Sequence, residues 1–183
     1  VIAARDYVLA NAPVDQQRLG LLGYGFGARM AMEAGALKDS PYTAMSLISP
    51  MVGGYEDTLH LLFGAEYDRM LSEAFSEARG TEFTAADGIA RTISVNWFDD
   101  MTLSNPMKNV QHIKGSLQVI SASKDELVPA AVTKALLNGA AGSQAKVSAL
   151  EVDSDHSFGF PQEDSAVRAQ VIEAVVTFFA DAF

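Results

Sequence analysis

The stretch Gly23-Tyr24-Gly25-Phe26-Gly27 restricts the fold more than any other part of this chain. Before it, Arg18-Leu19-Gly20-Leu21-Leu22 reads as a short buried strand. Behind it, Ala28-Arg29-Met30-Ala31-Met32-Glu33-Ala34 reads as a helix ended by Gly35. A strand that passes into a helix through so short a corner needs unusual backbone torsions at the turn and small residues where strand and helix cross. Gly23 and Gly27 are expected to permit that close approach. The frame is G-x-S-x-G, in which a strained turn lifts a serine above the sheet edge. Gly25 occupies the serine position, so the frame is present without a side-chain nucleophile.

Two other readings of the same residues stay open. As G-x-G-x-x-A, Gly23, Gly25 and Ala28 form a variant dinucleotide fingerprint, with phosphate expected at the helix N-terminus. That reading asks for an acidic residue at the end of the next strand. The strand Thr43-Ala44-Met45-Ser46-Leu47-Ile48-Ser49 instead runs into Pro50-Met51-Val52-Gly53-Gly54 with no carboxylate. A glycine-rich corner with only a packing role is the other possibility.

The 183 residues, 49% of them hydrophobic, suffice for one domain with a sizeable core. A formal net charge of −10 disfavours nucleic acid and anionic membrane surfaces as partners. The absence of cysteine excludes disulfides, thiolate metal sites and a cysteine nucleophile, and it fits a reducing compartment, so a cytoplasmic location is expected. No apolar run is long enough for a membrane span, and no signal peptide precedes the first helix. That helix, residues 1 to 11, offers Ile2, Tyr7, Val8 and Leu9 as core contacts. It begins at Val1 and reads like the interior of a fold, as a processed or truncated N-terminus would.

Helix, strand, helix, strand in succession argue for an α/β fold with a mostly parallel sheet covered by helices. From Glu56 to about Phe98 the pattern becomes helical with an acidic surface, and no strand is expected there. One helix is expected over Ala85 to Trp97, capped by Thr84 or Asp87. Residues 106 onward return to alternation: a strand at Gly115 to Ala122, a helix at Ala130 to Asn138, a strand at Lys146 to Val152 and a closing helix at Ala166 to Phe179. The division is therefore core (1–55), helical lid insertion (56–105) and core (106–183).

Two loops carry chemistry. Ser121-Ala122-Ser123-Lys124-Asp125-Glu126-Leu127-Val128-Pro129 places Asp125 just beyond a buried strand, where an open α/β sheet holds its ligands; alone it reads equally as a surface helix cap. Asp153-Ser154-Asp155-His156-Ser157-Phe158-Gly159 carries His156 after the following strand. Position 25, Asp125 and His156 stand in the chain order nucleophile, acid, histidine, each behind a strand. In that arrangement His156 takes a proton from the nucleophile and returns it to the leaving group, while Asp125 fixes the imidazole tautomer. His60 reads as a packed or surface histidine and His112 as loop surface. Asp153, Asp155 and His156 lack the remote partner a metal site needs, and neither metal nor cofactor is expected. Phe63, Tyr67, Trp97 and Phe98 fit a core better than acyl-chain contacts.

On these motifs the chain resembles the α/β-hydrolase superfamily from the strand before the elbow onward. Glu56-Asp57-Thr58-Leu59, Phe63-Gly64-Ala65-Glu66-Tyr67 and Trp97-Phe98-Asp99-Asp100-Met101 look similar to the acyl-transferase of bacterial luminescence systems. Carboxylesterases and monoacylglycerol lipases also fit. The resemblance implies a serine esterase or thioesterase lineage acting on a small-molecule acyl ester or thioester, inactive or strongly impaired with Gly25, or else a catalytically silent binding module derived from such a hydrolase. It implies one oxyanion-hole donor in the Phe26 backbone N–H. The second donor belongs to a loop after the early strands, so a separate N-terminal segment is an expected partner.

Overall fold

The elbow strand lies at the edge of a four-stranded sheet whose order places all three chemical loops at one end. In the computed structural model, residues 1–77, 80–84 and 88–183 are described. Among them, β1 (Leu19–Tyr24), β2 (Tyr42–Ile48), β5 (Ser116–Ala122) and β6 (Lys146–Val152) pair in the order β1-β2-β5-β6, every pair parallel. Parallel neighbours require crossovers, and these are helical: α2 (Phe26–Gly35) after β1, and α7 (Ala130–Ala140) between β5 and β6. The register Tyr24↔Ile48↔Ile120↔Leu150 sets the C-terminal ends of the strands side by side. The chain order read from the sequence and a mostly parallel α/β sheet are thus both present.

Alternation along the strands builds a core on each face. Met45, Leu47, Leu117 and Val119 join Ala28, Ala31 and Met32 of α2 and Leu136 of α7 on one side. Ile48, Ile120, Ala122 and Val152 join Val171 of α8 (Ala166–Ala182) and Phe158 on the other. Ser46 and Gln118 are buried as well, and they satisfy each other: the Ser46 hydroxyl donates to Gln118 Oε1 at 2.8 Å, and Gln118 Nε2 donates to the Ala174 carbonyl at 3.2 Å.

The chain divides into two compact units, Val1–Val52 with Pro106–Phe183, and Gly53–Asn105. The first also holds α1 (Ile2–Asn11), and α6 (Pro106–Asn109) leads through a 3₁₀ turn at Val110–His112 toward β5. The second contains α3 (Tyr55–Phe63), α4 (Tyr67–Glu77), a two-stranded antiparallel sheet of β3 (Thr81–Thr84) and β4 (Ala90–Ile93), and α5 (Val95–Leu103). Its aromatic residues pack together: the Phe63 ring stands edge-on to Phe83 and Trp97 at 5.1 and 5.8 Å, and Phe98 and Tyr67 are buried.

Three expectations need correction. The segment read as uninterrupted helix contains the β3–β4 hairpin, because Thr81, Phe83, Thr84, Thr92 and Ile93 are β-branched or aromatic residues that fit a pleated surface. The helix placed over Ala85 to Trp97 starts only at Val95, and its cap is Ser94, whose hydroxyl accepts from the Trp97 N–H at 3.2 Å. Thr84 lies in β3; Asp87 lies outside the described residues. Finally, α1 has no buried residue: Ile2, Tyr7 and Val8 are exposed, Tyr7 by 69%, and Leu9 is half-buried, so their spacing did not imply core.

Candidate active site

The turn after β1 has the backbone of a strained elbow. Gly25 adopts φ 55° and ψ −120°, a conformation that favours glycine. Its N–H donates to the Ile48 carbonyl at 2.9 Å, and its own carbonyl accepts from Met51 N–H at 3.2 Å, which ties the turn to the end of β2. Gly23 has the packing role expected of it, since a Cβ there would lie 2.5 Å from Ala28 Cα. Gly27 does not: beyond its chain neighbours and its own helix backbone, a Cβ there meets nothing within 4 Å among the described residues. Phe26 is the first residue of α2, so its N–H belongs to the helix N-terminus, where the donors point beyond the first turn.

Asp125 and His156 come together at the same sheet end. His156 Nδ1 lies 2.9 Å from Asp125 Oδ2 and 3.0 Å from Oδ1. Facing two carboxylate oxygens, Nδ1 is the protonated nitrogen, which leaves Nε2 as the basic one. The Asp125 side chain is only 2% exposed and is fully employed. Its Oδ1 accepts from the Leu127 and Val128 N–H groups at 2.9 and 2.8 Å, and its Oδ2 also accepts from the Ser49 hydroxyl. Burial by itself pushes the carboxyl pKa up; the Ser49 hydroxyl, the Val128 N–H and the His156 imidazole outweigh it and hold Asp125 below the usual carboxylate range. It is therefore an anchored anion rather than a surface cap.

The loop that presents His156 is built by its own short polar residues. Asp155 Oδ1 accepts from the Ser157 N–H at 2.9 Å and from its hydroxyl at 2.6 Å. Phe158, at φ 52°, is fully buried and plugs the loop into the second core. From β1, the Tyr24 hydroxyl donates to the His156 carbonyl at 2.7 Å, and its ring lies 5.2 Å from the imidazole. Burial, with Asp125 and Asp155 nearby, raises the Tyr24 pKa, so it stays a neutral donor.

Position 25 meets this pair directly. A Cβ built on Gly25 lies 3.5 Å from His156 Nε2 and 3.9 Å from Cε1, and among the described residues no other side chain or backbone group beyond its chain neighbours comes within 4 Å. A hydroxyl one bond further out reaches hydrogen-bonding distance of Nε2. The place of a Cβ at position 25, the His156 imidazole and the Asp125 carboxylate thus lie in one row, with the imidazole between the other two.

Many solved structures share this arrangement of strands and helices. Est1E from Butyrivibrio proteoclasticus matches over 99% of this chain and 67% of its own, with TM-score 0.69 and 21% identity. The alpha/beta hydrolase GrgF from Penicillium sp. sh18 matches over 99% and 69%, with TM-score 0.67 and 16% identity. The chain has the α/β-hydrolase fold. The esterase domain of a Rhodothermus marinus protein is similar as well, over 95% of this chain and 64% of its own, with TM-score 0.66 and 14% identity. The chain spans about two thirds of the length of each. No family model matches the sequence, and no curated protein is significantly similar to it.

The remaining sequence candidates lie elsewhere. His60 is exposed in α3, edge-on to Tyr67 at 4.4 Å, and His112 is exposed in its 3₁₀ turn. Asp153 is exposed and paired with Lys124 at 2.6 Å. No cluster of metal-ligating side chains occurs among the described residues, and no helix among them is long and apolar enough to cross a membrane. The ribose-binding carboxylate of the dinucleotide reading is absent from the end of β2, where Ser49 stands. Ser49 itself was not legible as a site residue. Its only sequence signal is a hydroxyl that closes an apolar strand ahead of Pro50, yet it is 1% exposed, at φ 43°, with its Oγ 3.3 Å from His156 Nδ1.

Proposed function

We propose that this chain carries the catalytic end of an acyl ester or thioester hydrolase from which the nucleophile side chain is missing. His156 is the general base and acid, Asp125 its orienting carboxylate, and position 25 the nucleophile's place. The observation that carries this reading is the 3.5 Å between a Cβ at Gly25 and His156 Nε2, with no other residue beyond its chain neighbours within 4 Å among those described. With a hydroxyl at that place, Nε2 takes its proton as the oxygen attacks the acyl carbon, then gives the proton to the departing alcohol or thiol. The Phe26 N–H supplies one oxyanion donor. The second comes from a further N-terminal segment that joins at β1, an edge strand whose Leu22 is 56% exposed; the shorter span relative to the three solved structures supports this. Residues 56–105 serve as the lid, on the strength of their place in the chain between β2 and β5. The likeness to the luminescence acyl-transferase favours apolar acyl groups, and the lack of cysteine favours a cytoplasmic setting.

The test is Gly25→Ser, assayed with p-nitrophenyl esters of short and long acyl chains and with an acyl thioester. The expected result is an acyl adduct on the protein by mass spectrometry and turnover raised by about 10³-fold or more. A folded variant that forms no adduct with any of them would overturn the assignment. The second reading, a hydrolase-derived binding module, is favoured by Gly25 itself. It predicts that a fatty acid binds with equal affinity to the protein and to His156→Ala.

A further inference from the structure

We infer that the bare elbow makes this protein a hydrolase that uses water directly, with His156 activating a water molecule seated where a nucleophile side chain would project. The proposal rests on the site reading above and goes one step past it. Three observations converge. Nε2 has no hydrogen-bond partner among the described residues, while Nδ1 is held by Asp125, so the basic nitrogen is directed and unengaged. Apart from the chain neighbours of Gly25, the place a Cβ would take there is bordered within 4 Å by that imidazole alone among the described residues. The Gly25 backbone is pinned on both sides, by Ile48 and Met51, so the turn does not depend on a side chain to keep its form.

The step balances with water as the only co-reactant. The water oxygen forms a bond to the acyl carbon while one of its protons passes to Nε2. The adduct then collapses, the bond from the acyl carbon to the alcohol or thiol breaks, and the leaving group takes the proton from Nε2. Carboxylic acid and alcohol or thiol are released, and no acyl-enzyme forms at any point. Ser49 is unsuited to replace the missing nucleophile, because its Oγ faces Nδ1 and Asp125 from a buried position rather than Nε2.

The experiment compares the native protein, His156→Ala, Gly25→Ala and Gly25→Ser on p-nitrophenyl butyrate and a butyryl thioester, with protein mass recorded during turnover and thermal melting of each variant as a check on folding. We expect slow native hydrolysis with no adduct, a loss of about 100-fold in His156→Ala, as general-base catalysis is typically worth, and a loss of at least about 10-fold in Gly25→Ala, whose methyl fills the water's place. Hydroxylamine added to the native protein should divert product to the hydroxamate, and it should not do so with Gly25→Ala. A native rate equal to that of His156→Ala, or a folded Gly25→Ala as fast as native, would overturn the inference. If Gly25→Ser acylates while the native protein shows no His156-dependent rate, water activation is refuted and the site reading stands. If Gly25→Ser does not acylate either, both fall.

Discussion

Ser49 holds the site from behind. Its hydroxyl donates to the buried Asp125 carboxylate, and its main-chain N–H donates to the Ile120 carbonyl at 2.7 Å, although φ 43° is a conformation that few side-chain-bearing residues adopt. A hydrogen bond to a charged group is worth about 1.5–3 kcal/mol, and the backbone torsion costs a non-glycine residue about 1 kcal/mol or more. Ser49→Ala should therefore lose about 1.5–3 kcal/mol in a urea melt, whereas Ser49→Gly, which loses the same bond but relieves the torsion, should lose less by about 1 kcal/mol. In the Gly25→Ser background both should lower kcat by about tenfold, following roughly 1.4 kcal/mol of misdirected base, and leave KM unchanged. Equal stability of the Ala and Gly variants would refute the torsional part, and an unchanged kcat would refute the positioning part.

At the level of elements, the strand–turn–helix corner tests which glycine the packing needs. At Gly23 a Cβ would meet Ala28 Cα at 2.5 Å and the Gly27 carbonyl oxygen at 2.7 Å, both backbone atoms that cannot swing aside. Gly23→Ala should cost about 3 kcal/mol, the upper end of overpacking, and it should push α2 off the sheet. Gly27→Ala enters open space inside a helix and should stabilise by up to about 1 kcal/mol. Chemical denaturation of the two variants decides it, and a destabilising Gly27→Ala would mean that the helix start needs glycine for another reason. The sequence pattern made both glycines look equivalent, because it reports the turn but not the direction in which each Cα–Cβ vector leaves it. The same blindness placed helix over β4, where hydropathy marked an amphipathic segment and only pairing with β3 selected the strand.

For the molecule as a whole, charge sets the acid limit. Asp125 has a depressed pKa in the folded protein, so its ionised form stabilises the fold fully above the unfolded carboxylate value of about 3.9, and that contribution is lost as pH falls through the lower folded value. Asp15, Glu73, Asp153 and Asp155 shift in the same direction, but they are exposed, so their share is screened. The net charge of −10 acts oppositely, since protonation relieves repulsion. The variant comparison isolates the buried group: the stability gap between native protein and Asp125→Asn should narrow below about pH 4 and should persist in molar salt. A gap that vanishes in salt would show that the Asp125 interaction is a surface effect.

The sequence by itself determined the parallel alternation of strands and helices, the glycine at the elbow and the order in which position 25, Asp125 and His156 follow their strands. These are properties of local periodicity and chain order, and they survive without knowledge of distant contacts. Only the tertiary structure decided that His156 Nε2 faces the bare Gly25, that Ser49 closes the row behind Asp125, and that α1 and β1 present apolar side chains outward. Each depends on strand register and on side-chain direction at the sheet end, and a sequence encodes those through pairings between residues far apart rather than through any local pattern.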